Sequence, residues 1–183
     1  MLCEDQWHPL QIPRAGLGAL TGTEFTFDWI ENAEAWSPGN MLRYKLVILA
    51  KSNNVSASDN TGWMTASIQA AFSDYVRKGN GLLAIHSGAA GYEQMPVLRS
   101  LLRGVFTHHP EQCLVTMTPH VGHPLSIGCA PFTLQVEHYF MALDDPQVDV
   151  FMTTTSVHNV EVWLHPSFQI LLLNTLRWCG KVS

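Results

Sequence analysis

The 183-residue chain is predicted to fold as an α/β domain around a mainly parallel sheet. Two observations carry that prediction. Short β-rich apolar runs alternate with segments of helical period, the order that produces strand, crossover and strand. The two clearest strands, residues 45–50 (KLVILA) and 81–86 (GLLAIH), are continuous rather than alternating apolar runs, as strands buried on both faces require.

The elements follow in chain order. Residues 1–3 read as a short first strand ahead of an acidic loop, and residues 10–20 as a helix that tolerates Pro13 in its first turn. Residues 24–30 (EFTFDWI) alternate well enough for a strand. Between the two apolar strands, residues 63–78 place Met64, Ile68, Ala71, Phe72, Tyr75 and Val76 at spacings of three and four, which lines one helix face. Basic residues and then Gly79 stop that helix. The resulting strand, helix and strand form a right-handed crossover if the usual chirality holds. Residues 114–118 and 149–154 read as later strands, and residues 167–178 as a closing helix with Ser167 near its cap. Neither a repeat nor a linker divides the chain, so residues 1–183 are expected to form one domain.

Composition narrows the function classes. With 46% hydrophobic residues the chain can build a sizeable core. Charged residues make up only 14%, which leans towards a surface partly covered in a homo-oligomer. A net charge of −5 and the lack of a Lys/Arg run oppose nucleic acid as a partner. No apolar stretch approaches the roughly 18 to 20 residues that span a bilayer, so no membrane partner is expected. The start MLCEDQWHPL lacks the basic and apolar regions of a secretory signal, which makes the cytoplasm the default location. Cys3, Cys113, Cys129 and Cys179 show no CxxC spacing and read as reduced thiols.

The anomaly is nine histidines against ten lysines and arginines. Several fall where loops should leave strand ends: His8 in DQWHP, His86 at the end of GLLAIH, His108 and His109 before Pro110, His123 before Pro124, and His158 after the late strand. Ligands bind beyond the carboxyl ends of parallel strands, where His8 and His86 are placed to meet. The competing expectation is that each histidine caps its own turn. Of the pair His108 and His109, adjacent side chains on extended backbone face opposite ways, which leaves one of them, here taken as His109, for a shared site. Glu137-His138-Tyr139 offers a carboxylate next to a hydrogen-bond donor, as a general base needs, although a solvent-exposed Glu is the commoner explanation for such a triplet. No GxGxxG, GxxxxGK[ST] or GxSxG motif occurs, which removes the common phosphate loops and the serine nucleophile elbow.

Seven segments in register resemble the trehalose utilisation, or ThuA-like, family: DQWHP, YKLVILAKSNN, YVRKGNGLLAIHSGAAGY, LRGVFTHHP, GHPLSIG, FTLQVEHYF and HNVEVWLHPSFQILLLNTLRW. The resemblance implies a flavodoxin-like three-layer fold related to class I glutamine amidotransferases, and a role in bacterial metabolism of trehalose or related disaccharides, including their 3-keto forms. In the amidotransferases a nucleophilic Cys occupies the sharp turn after a central strand. Here His86 stands in that turn, and an imidazole does not replace a thiolate in forming a glutamyl thioester, so glutamine amidotransferase chemistry is disfavoured. The chain departs from the family after Ser156: it passes directly to Val157-His158-Asn159 where members carry a further hairpin with a Trp-containing strand and a Gly-x-Gly-Arg-Val strand. Either that hairpin has been lost or a segment is missing from the sequence.

Together these features predict a sugar-active protein, a lyase, isomerase or hydrolase, using acid–base chemistry with or without a divalent metal as cofactor. His86, His109, Glu137 and His158 are the predicted catalytic residues. His8 and Ser87 are expected at the rim, with Trp7, Tyr92 or Tyr139 stacking on a pyranose. A noncatalytic carbohydrate-binding module and a structural subunit of a larger oxidoreductase assembly are the rival readings.

Overall fold

The first four residues of the LVILA run, Leu46 to Leu49, each find a core on one side of the sheet or the other. The computed structural model describes residues 1–20, 22, 24–156 and 166–180. Its elements are β1 (Leu2–Cys3), α1 (Gln11–Gly18), the single turn α2 (Pro38–Met41), β2 (Leu46–Ala50), α3 (Ala66–Arg77), β3 (Gly81–Ala84), α4 (Pro96–Leu102), β4 (Gly104–His108), β5 (Cys113–Pro119), β6 (Phe132–Val136), β7 (Phe140–Leu143), β8 (Met152–Ser156) and α5 (Pro166–Gly180). On β2, Val47 and Leu49 join Phe72, Tyr75 and Tyr92 in one buried cluster. Ile48 joins Leu17, Leu172 and Leu176 in the other. Period-two side-chain alternation on one strand therefore feeds two cores, and each fully buried Leu or Ile in them contributes about 1.5–3 kcal/mol.

The chain is α/β, with a more limited parallel sheet than the sequence suggests. β1, β2 and β3 pair in parallel in that order. Among the described residues the remaining pairings of named strands are antiparallel: β4 with β7, and β5 with both β6 and β8. β2 is the inner strand, whereas β3 ends the three-stranded sheet rather than lying inside it. The later strands are half-exposed and rich in Thr, as antiparallel strands with one solvated face tend to be.

Three local expectations are corrected. Residues 24–30 form no strand: Phe25, Phe27 and Trp29 pack on the second core, but only Ile30 bridges to Leu2. The alternation there reflects burial of every second side chain without a hydrogen-bonded ladder. The helix predicted over 63–78 begins at Ala66, because the Asn53 side-chain oxygen accepts the N–H groups of Trp63 (3.1 Å) and Met64 (3.0 Å) and Thr65 N–H bonds back to the Trp63 carbonyl, which keeps these residues out of the helix. Thr65 caps the helix instead, and Gly79, at φ 86°, follows its end. Tyr92 is fully buried, donates its hydroxyl hydrogen to the Lys51 carbonyl (2.9 Å) and accepts from the Trp63 indole (3.3 Å), so it presents no face to a sugar. His158 and the passage at 157–165 lie outside the described residues, as does the predicted junction after Ser156.

Candidate functional site

Parallel pairing puts the carboxyl ends of β1, β2 and β3 on one edge, and the loops leaving them carry Asp5 and His8, Ser52, and His86. Asp5 organises the first loop. One of its oxygens accepts from the backbone N–H of Trp7 (2.9 Å) and of His8 (3.0 Å) and lies 2.7 Å from His8 Nδ1, while the other accepts from Ser52 N–H (3.0 Å). Burial opposes the charge on this carboxylate, but the bonds from His8, Ser52 and Trp7 outweigh it and hold Asp5 well below the usual carboxylate range. With Nδ1 engaged by Asp5, His8 keeps Nε2 for any further partner.

His86 follows β3 in a left-handed conformation, φ 53°, and opens a short 3-10 turn over His86–Ala89. Such a backbone costs a non-glycine residue on the order of 1–2 kcal/mol. The turn is pressed onto β2: a Cβ at Gly88 would fall 1.9 Å from the Leu49 carbonyl oxygen, which only glycine permits. The same packing buries Ser87, which is 1% exposed and therefore lies beneath the turn rather than at the rim.

From the antiparallel strands come His109, after β4, and Glu137 and Tyr139, between β6 and β7. Glu137 spans the two histidines, with one oxygen 3.5 Å from His86 Nε2 and the other 3.9 Å from His109 Nε2. The Tyr139 hydroxyl lies 3.3 Å from His86 Nε2, and its ring stacks on His86 (centroids 4.4 Å) and on His109 (5.7 Å) while Phe106 packs against it at 4.3 Å. The His8 ring meets His86 edge-on at 4.5 Å. Desolvation, with help from His8 and His109 and against the pull of Asp5, lowers the His86 pKa to about 4, so its imidazole is neutral at pH 7. Burial and the Glu137 charge raise the Tyr139 hydroxyl far above its ordinary value, so it stays protonated and available as a donor.

The structure thus brings together His8, His86, His109, Glu137 and Tyr139 from four segments. Trp7, next to His8 in the chain, is 73% exposed. His108 stacks on Phe140 instead, as the opposite-facing neighbour of His109. His123 caps a turn through Leu125 N–H and pairs with Asp149, the local role that the competing expectation assigned to every histidine. Asp5 was not singled out from the sequence; its signal was an acid three residues before a histidine in DQWHP. An apolar cavity of about 210 Å³ lined by Trp29, Trp36, Met41 and Tyr44 contains none of the cluster. The cluster is open instead, its side chains from 22% exposed at His8 to 37% at His109. Two imidazoles, a carboxylate and a phenol in mutual reach can accept and donate protons on one bound molecule. His8, His86 and Glu137 each also offer one ligand atom within 4.8 Å of the others.

The model of the trehalose utilisation family matches residues 14–168, and the chain belongs to that family. No curated protein and no solved structure matches the chain. Among the described residues no helix is long and apolar enough to cross a membrane.

Proposed function

We propose that the protein acts on trehalose or a related disaccharide, or on its 3-keto form, by acid–base chemistry at the His8–His86–His109–Glu137–Tyr139 cluster. The observation that carries this reading is the placement of Glu137 between two imidazoles, 3.5 Å and 3.9 Å away, with the Tyr139 hydroxyl alongside. On a keto sugar, Glu137 removes the proton from the carbon next to the carbonyl. The electron pair moves onto the carbonyl oxygen, which takes a proton from Tyr139, giving an enediol. Delivery of the abstracted proton to the former carbonyl carbon, while the hydroxyl on the deprotonated carbon gives up its proton and becomes the new carbonyl, completes an isomerisation; loss of the enediol proton to re-form the original carbonyl, with expulsion of a β-oxygen substituent that leaves with the abstracted proton, completes an elimination. Neutral His86 accepts a sugar hydroxyl proton in a hydrogen bond and orients the ring. The family's description supports the sugar class, and the two cores on either face of β2 support a three-layer, flavodoxin-like arrangement.

Purified protein is to be incubated with trehalose and with 3-keto trehalose, with product followed by mass spectrometry and by exchange of solvent deuterium into the sugar. Turnover or exchange that is lost in His86→Ala and Glu137→Gln is the expected result. Saturable binding with neither product nor exchange would overturn it in favour of a carbohydrate-binding role.

A further inference from the structure

We propose that His8, His86 and Glu137 form a site for one divalent transition-metal ion with the ligand preferences of zinc. The proposal deepens the sugar reading, on which the ion's catalytic use rests. Three independent features point to it. The three ligand atoms already lie within 4.8 Å of one another, and His86 Nε2 is 3.5 Å from Glu137. Tetrahedral zinc with bonds of about 2.0–2.1 Å sets neighbouring ligands roughly 3.3 Å apart, so small side-chain rotations close the shell. The donor set is two imidazoles and one carboxylate, which in zinc enzymes leaves a fourth position open and in iron(II) oxygenases leaves a face open. Such a set disfavours Mg²⁺ and Ca²⁺, which take oxygen ligands.

The second feature lies behind the ligands. Asp5, whose side chain is fully buried, holds His8 Nδ1 at 2.7 Å. A carboxylate on the far nitrogen fixes the tautomer and aims Nε2, the arrangement that metal-bound histidines carry in their outer shell.

The third feature is rigidity. His8 is fixed through its own backbone N–H on Asp5, and His86 by the left-handed turn packed under Gly88. Among the described residues no other trio of His, Cys, Asp or Glu meets the same distance condition. A bound ion would supply Lewis acidity to a sugar carbonyl oxygen at the open position; with Glu137 and His86 then engaged as ligands, the proton transfer that the metal-free reading gives to Glu137 would fall to His109.

The test uses untagged full-length protein stripped with a chelator and titrated calorimetrically with Zn²⁺, Fe²⁺ (under anaerobic conditions) and Mg²⁺. Co²⁺ absorption spectra serve as a readout of coordination. One Zn²⁺ per chain is expected, with Mg²⁺ at least 100-fold weaker. Fe²⁺ tighter than Zn²⁺ would place the site with the iron(II) group and keep the proposal. His86→Asn, which tolerates the left-handed backbone, and Glu137→Gln should each weaken Zn²⁺ at least 100-fold, and Asp5→Asn about 10–100-fold. His123→Ala should leave it unchanged. Absence of saturable Zn²⁺ or Fe²⁺ binding, or binding undiminished in both His86→Asn and Glu137→Gln, would overturn the site. If either variant fails to fold by circular dichroism, the other decides. Zinc binding without sugar turnover would leave the site standing and count against the sugar chemistry. Turnover that survives chelation, with no metal binding, would do the reverse.

Discussion

His8 Nδ1 and the buried Asp5 carboxylate stand 2.7 Å apart, and the same carboxylate gathers three backbone N–H groups from two loops. In Asp5→Asn an amide N–H₂ replaces one of two oxygens that now accept hydrogen bonds, so at least one donor must face another donor. Leaving a buried donor unsatisfied costs about 1–3 kcal/mol. Thermal unfolding should show a midpoint lower by several degrees, since about 1 kcal/mol corresponds to roughly 2–4 °C in a chain of this size.

Left-handed backbone at His86 gives a second expectation. His86→Gly should be more stable than His86→Ala by about 1 kcal/mol, because glycine adopts φ 53° without the Cβ clash that alanine keeps. Urea unfolding of the two variants measures the difference. Equal stabilities would mean that the turn relaxes once the imidazole is gone.

At Gly88 the expected effect is larger. A methyl group would fall 1.9 Å from the Leu49 carbonyl oxygen, a backbone atom that is locked in the sheet. Gly88→Ala should cost at least about 2 kcal/mol, towards the upper part of the range for overpacking, and should displace His86. Loss of site function together with a lowered unfolding midpoint is the expected pair of readouts.

Tyr139→Phe separates chemistry from packing. The ring contacts with His86, His109 and Phe106 persist while the hydroxyl near His86 and Glu137 is lost. Turnover should fall at least about tenfold, roughly 1.4 kcal/mol in the barrier, with the unfolding midpoint little changed. Activity equal to that of the parent protein would remove the phenol from the mechanism.

For pH, the relevant group is His86, whose pKa is lowered from 6.5 to about 4 by burial and by its histidine neighbours. The unfolded chain then binds more protons than the folded one between those values. The contribution of His86 to stability is therefore complete above about pH 6.5 and is lost as pH falls towards 4. In chelator-treated protein, NMR titration of the His86 ring should show no protonation near pH 6.5 and a midpoint near 4. A midpoint above 6 would contradict the burial argument.

The parallel strands were legible because LVILA and GLLA are too apolar to be exposed on either face, and β2 and β3 form where those runs stand. β4, β6 and β7 were not legible. Phe140, Met141 and Leu143 on β7 are exposed, so burial leaves no pattern there for a sequence to record. Residues 24–30 misled in the opposite direction: their alternation is real in burial but has no ladder behind it. At the site, loop position brought out His8, His86 and His109, because strand ends gather chemistry. What the sequence did not expose was direction. Tyr92 and Ser87 sit in the right stretch of chain and face inward, Ser87 in the turn that Gly88 lets pack against β2 and Tyr92 with its hydroxyl held by Lys51 and Trp63.

The crowded ring of Tyr139 bears on selectivity. With His86, His109 and Phe106 all packed against it, this aromatic offers a ligand its hydroxyl and little of its π-surface. Flat stacking, which holds many sugars alike through their C–H faces, is thereby given up at the centre of the cluster, and the exposed Trp7 is left as the aromatic free to supply it from outside. Discrimination then falls to fixed polar atoms matched to individual hydroxyl groups. Polar sites of that kind reject a ligand lacking one partner by far more than apolar pockets do. If the ligand is the sugar proposed above, epimers that differ at a single carbon should therefore be told apart sharply.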